Sequence, residues 1–218
     1  MYRLDREPGA PADESRAQAE AVERRLTKIA ATFEHLDADH PHRAYGDFAA
    51  LYLSTTRHWL ARLAPSPESV FPLHVMPPFY ALYAQHVVAR IDAPLSRIAP
   101  HWRAYHRRTR SLRPVSAPLA RFLALASGIR AHSHADMGAA ILAAERSSGM
   151  RLDDHARHHM FDAVATRAFA EGAQAALGCS PMLEVTRPIW LPVLHHWRAS
   201  GYRRQWRDRG VSQGAQAV

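Results

Sequence analysis

Residues Leu123–Ile141 read LALASGIRAHSHADMGAAI, and both the fold and the first candidate site follow from how this stretch is wound. At 3.6 residues per turn, Phe122, Ala126, Ile129, Ser133 and Ala140 gather on one face. A stripe of that width suits a helix that packs against other helices. Asp136 falls about 40° from Phe122 and His132 about 80°. Both border the apolar face one turn apart, with His134 on the other flank. Gly128 leaves room for a second helix to come close. Pro114 and Pro118 precede the segment, so the helix is expected to run to about Ala144 and to close at Gly149.

The same period recurs outward in both directions. A helix is predicted over Glu14–Leu36, where Val22, Leu26, Ile29, Ala30 and Phe33 recur, and another over Tyr45–Leu63, with Phe48, Tyr52, Thr55 and Trp59 in one stripe. Pro72, Pro77 and Pro78 predict an irregular connector, followed by helices over Phe79–Ile91 and Leu95–Arg108. Downstream, Asp153 or Asp154 can cap a helix reaching Leu177, and a last helix, interrupted by Pro188 and Pro192, reaches about Arg207. No segment alternates with period two, so strands are not expected. The reading is all-α: a single-domain antiparallel or orthogonal bundle of about seven helices over residues 14–209, between flexible tails at 1–13 and 210–218.

Composition narrows the function classes. With 218 residues, 47% of them hydrophobic, the chain can bury a real core. No apolar run reaches the roughly 18–20 residues of a membrane span, and Met1–Ala12 has no secretory h-region. Cys179, the single cysteine, has no internal disulfide partner, which fits a cytoplasmic location. The net charge is +8, and Lys28 is the only lysine. That bias resembles the product of GC-rich codon usage, so arginine content alone argues little for a nucleic-acid partner. There is no Gly-rich phosphate loop, CxxC, HExxH or GxSxG.

Histidine is the informative residue type. The i,i+4 pair His132/Asp136 can present a nitrogen and an oxygen to one metal ion, or the carboxylate can orient the imidazole as a general base. The plainer reading is a buried hydrogen bond that holds helices together. His86 shares a face with Phe79, Leu82 and Tyr83; it is either a satisfied core histidine or a group facing His132. Thr55 is either a back-bonded core hydroxyl or a pocket hydroxyl. His155 and His159, with Asp162 nearby, have ligand spacing but lie opposite Phe161 and Val164, so they read as a solvated face, while His158 leans inward. His195 and His196 are adjacent and cannot share a helix face. Two basic-aromatic patches, His101–Arg113 and Trp197–Arg209, either offer phosphate and stacking contacts or are solvated arginine faces with their aromatics turned inward.

RAHSHADMGAAI at Arg130–Ile141 resembles an AHI-x-x-DL-x-x-A signature, and HRAYGDFAALYLSTT at His42–Thr56 matches Arg-x(4)-Phe-x(3)-Tyr-x(2)-Thr. Together they resemble the actinobacterial helical family known as domain of unknown function 5995, over about residues 25–141. Ser133 stands where that family has Ile, and Met137–Gly138 where it has Leu-Pro. The resemblance marks Ala131, His132 and Asp136 in one block and Arg43, Phe48, Tyr52 and Thr55 in the other; it implies a location for a site and no reaction.

The resulting expectation is an enzyme acting on a small molecule by hydrolysis, cyclisation or isomerisation, in bacterial secondary metabolism. His132, Asp136 and His86 would be catalytic. Tyr52, Thr55 and Tyr83 would line a pocket, and Arg43 or Arg130 would meet an anionic group. A divalent metal ion on His132 and Asp136 is the cofactor these residues suggest. The alternative is a non-catalytic binding module whose basic-aromatic patches take an acidic protein or nucleic acid.

Overall fold

A computed structural model of the chain describes residues 10–37, 39–63, 67–113, 118–150, 164–177 and His196. Among these residues every regular element is helical, and no helix is long and apolar enough to cross a membrane. The expected tails lie largely outside the described residues, as do His155, His158, His159, Asp162, His195 and the second basic patch.

α1 spans Ala10–Glu34 and α2 spans Tyr45–Arg62. α1 begins four residues before the expected start at Glu14. Pro11 sits in its first turn, where a missing N–H removes no helical bond. α3 spans Pro67–His86 and keeps Pro72, Pro77 and Pro78 inside it, which corrects the expected connector. Each proline removes a backbone donor. However, α3 buries Phe71, Leu73, Val75, Met76, Phe79 and Tyr83 around much of its circumference. It packs against α1 on one side and the segment after Asp136 on the other, so tertiary burial outweighs the local cost.

The next expected helix is also corrected. Leu95–Arg97 and Pro100–Trp102 form separate 3-10 turns, and α4 covers Arg103–Ser111. Pro100, at the start of its turn, cannot supply the N–H that a continuous helix would need there. α5 spans Pro118–Ala131 and α6 spans Met137–Ser148. Between them, His132–Asp136 winds as a π turn, closed by the Met137 N–H on the His132 carbonyl. The expected long helix is therefore continuous but carries one wider turn, and such turns tend to gather at functional positions. Gly149 ends α6 in the left-handed region at φ 69°, which a residue without Cβ adopts freely. α7 spans Thr166–Leu177.

α2 is central. It packs on α1 and α7, while α3 contacts α1 and α6, and α4 lies on α5. Ion pairs tie α2 outward: Arg57 to Glu23 at 2.9 Å, Arg121 to Asp47 at 3.1 Å, and Arg62 to Glu171. These partly exposed pairs add little stability each.

A buried polar relay fixes the end of α3. Arg110 Nε–H donates to the Tyr45 hydroxyl at 3.3 Å, and that hydroxyl donates to His106 Nδ1 at 2.9 Å. His106 Nε2–H then donates to the His86 carbonyl at 2.9 Å. The outer two bonds are fixed because a guanidinium only donates and a carbonyl only accepts. Burial holds the His106 pKa below the ordinary value, so the ring is neutral near pH 7 and its Nδ1 accepts from the Tyr45 hydroxyl. The unfolded chain binds a proton more readily, so this contribution is present above about pH 6.5 and is lost as the pH falls towards the depressed folded value. The melting temperature is expected to fall between pH 7.5 and 5.5, and less steeply in His106→Gln, whose amide can both donate and accept. A melting temperature that rises on acidification would contradict the relay.

Candidate functional site

The site forms where the π turn meets the residues that open α4. Asp136 is 2% exposed, and its carboxylate has three side-chain partners. Oδ2 receives Trp102 Nε1–H at 3.0 Å and the His132 ring at 3.0 Å. Oδ1 receives His101 Nε2 at 3.0 Å. Burial would raise the Asp136 pKa, but the hydrogen bonds from His101 and His132 and their charge outweigh it and hold it at about 2. An ionised carboxylate can only accept, so all three ring nitrogens donate.

This fixes the state of His132. Burial lowers its pKa, and its bond to Asp136 only partly offsets that, so the ring is neutral near pH 7. Nδ1 carries the proton towards Asp136, which leaves Nε2 as a bare acceptor. Nε2 is buried with no hydrogen-bond partner among the described residues. The ring cannot swing to find one. Phe79 stacks on it at 3.5 Å between centroids and 10° between planes, and the Tyr52 ring meets it edge-on at 4.9 Å.

His132 also lines a largely apolar cavity between α2, α3, the π turn and α7. The cavity gives the centres of water-sized molecules about 50 Å³ of room. Its wall includes Tyr52, Thr55, Trp59, Phe79, Ser133 and Phe169. Thr55 Oγ1 is a second buried polar atom there with no hydrogen-bond partner among the described residues. At one edge of the cavity α2 and α7 touch closely, where a Cβ on Gly172 would lie 2.6 Å from the Thr55 backbone.

The structure brings some of the sequence candidates together and separates others. Tyr52, Thr55 and His132 share the cavity, while Asp136 lies behind His132 and outside the wall. Tyr83 is fully buried with its ring 6.2 Å from that of His132, but it does not line the cavity. His86 is half-buried and meets the His101 ring edge-on at 5.3 Å. Arg43 is elsewhere: its guanidinium donates to the carbonyls of Phe33 at 3.0 Å and Leu36 at 3.1 Å, and to that of Glu34, closing the end of α1. Arg130 is exposed on α5.

His101 and Trp102 were not expected as site residues. They belong to the patch His101–Arg113, which resolves into an inward face and an outward one. Trp102, Tyr105 and His106 are buried, and the arginines around them bind carbonyls: Arg103 that of Ile98 at 3.0 Å, Arg108 that of Leu123 at 3.1 Å. The signal in the sequence was the spacing of 102, 105, 106 and 109, a helical stripe inside a charged segment. No family model, curated protein or solved structure matches the chain, and the chemistry of the site rests on its own geometry.

Proposed function

We propose that this protein is an enzyme in which His132 is the general base for a small, largely apolar substrate held in the cavity, and Asp136 orients it. The observation that carries this reading is a buried imidazole Nε2 with no partner among the described residues, on a cavity wall, in a tautomer set by an ionised carboxylate. A carboxylate behind an imidazole fixes the ring and stabilises the imidazolium that forms when it takes a proton. The chemistry is proton abstraction in an isomerisation or cyclisation, or deprotonation of a water in a hydrolysis. Thr55 Oγ1–H would donate to charge developing on the substrate. Membership of the domain of unknown function 5995 family, a cytoplasmic bundle of about seven helices and a place in secondary metabolism belong to the same proposal. The binding-module alternative draws little from His101–Arg113, because Trp102 and Tyr105 are buried and offer no stacking surface.

The test uses 5-nitrobenzisoxazole, whose ring opens to a coloured phenolate when a base removes its one acidic proton. Chelator-treated protein is expected to open it faster than an equal concentration of imidazole, and His132→Ala to lose about 100-fold of that rate while keeping its helical circular dichroism. Turnover no faster than imidazole, or unchanged in the folded variant, rejects His132 as the base.

A further inference from the structure

The geometry points to a binding site for a first-row divalent transition-metal ion made by His86, His101 and Asp136. One ligand atom from each of these three residues lies within 4.8 Å of the other two. A four-coordinate ion with bonds of about 2.1 Å sets its ligands about 3.4 Å apart. The edge from His101 Nε2 to Asp136 Oδ1 is already 3.0 Å. The remaining closure falls to the half-buried His86 ring at the end of α3.

The carboxylate is prepared for this role. Trp102 Nε1–H and the His132 ring both occupy Oδ2 at 3.0 Å. Oδ1 takes only the His101 Nε2–H in the metal-free fold, so it is the oxygen that an ion would use once His101 moves that proton to Nδ1 and ligates through Nε2. Outer partners of this kind orient a ligating carboxylate and are worth about 10–100-fold in metal affinity. The three ligands come from separate elements: the end of α3, the 3-10 turn before α4, and the π turn. The relay through His106 to the His86 carbonyl anchors the first of them.

Two imidazoles and one carboxylate suit zinc, cobalt or ferrous iron rather than calcium or magnesium, which favour oxygen. Three protein ligands leave at least one position for water, the arrangement of exchangeable sites rather than closed structural ones. The His101 side chain is 34% exposed, which gives an ion a way in. Arg90 bears on His86 electrostatically and opposes a cation, so affinity comes from direct coordination and not from an acidic surround. The inference does not depend on His132 acting as a base, since the base is tested on chelator-treated protein and the ion by direct binding.

Untagged, chelator-treated protein would be titrated with Zn²⁺ by calorimetry and with Co²⁺ by visible absorption. One equivalent is expected to bind, with the intense d–d bands of a low-coordinate cobalt site. His101→Ala and His86→Ala are each expected to weaken binding by about 100-fold or more, and Trp102→Phe by about 10-fold. His42→Ala, which removes a separate surface pair with Asp92, is expected to leave the affinity unchanged. If His86→Ala fails to fold, His101→Ala carries the test, because its side chain is partly exposed. Only weak binding at several sites, or a single-site affinity unchanged in the folded variants, overturns the proposal.

Discussion

Asp136→Ala is expected to cost about 3–5 kcal/mol of stability, the scale of breaking a buried charge network by deleting one partner. The carboxylate is 2% exposed and takes three donors, two of which come from the buried rings of Trp102 and His132. Alanine leaves both donors without an acceptor inside the core, and each such group costs about 1–3 kcal/mol. It also removes the atom that joins the π turn to the start of α4. Asp136→Asn separates charge from shape. Its amide oxygen can still accept from Trp102 and His132, and its NH₂ can face His101, whose partly exposed ring is free to shift its proton to Nδ1. The asparagine variant is therefore expected to lose clearly less than the alanine one. Denaturant unfolding of the two variants measures the difference. A loss below about 1 kcal/mol for alanine would mean that the three hydrogen bonds do not hold the core.

The second large effect is expected at Gly172. A Cβ there would lie 2.6 Å from both N and Cα of Thr55 and 2.8 Å from its Oγ1. Backbone in the middle of a helix cannot yield alone, so α2 and α7 must separate. Gly172→Ala is expected to cost about 1–3 kcal/mol or more, the range for overpacking. The same shift would move Phe169 and Thr55, which both line the cavity. Gly128→Ala meets ring edges of Phe48 and Tyr105 at 2.8–2.9 Å. Those rings are packed but can tilt, so its loss is expected to be smaller. Gly46→Ala, with Phe33 Cβ at 3.0 Å, should be the mildest. Melting temperatures in any other order, with Gly172→Ala near wild type, would show that the two helices are less closely held than their backbones indicate.

Helix-forming segments could be read from periodicity because each repeats its apolar residues over several turns, and the burial of Val22, Leu26 and Phe33 or of Phe48, Tyr52 and Trp59 follows the same stripes. His132 and Asp136 could be paired from their spacing alone, since four residues on a helix bring two side chains together whatever surrounds them. The closing role of Gly149 was equally local. Where local rules misled, a distant contact outweighed them. Three prolines remain inside α3 because the helix is buried on several sides, and burial there outweighs the lost donors.

Everything that turns the pair into a site came from residues far apart in the chain. Trp102 and His101 reach Asp136 across 34 and 35 positions, and no spacing rule links them. Phe79 lies against His132 only because α3 crosses the π turn, and the Thr55 backbone meets α7 only because position 172 carries no Cβ. Arg43 could not be told from a substrate-binding arginine by its motif; its partners are the carbonyls that end α1, which exist as a set only once that helix has formed. Local winding is a property of neighbours, and neighbours are written in the sequence. The protonation state of His132, the oxygen that Asp136 leaves available and the cavity between α2 and α7 are properties of packing between elements, which the assembled fold alone decides.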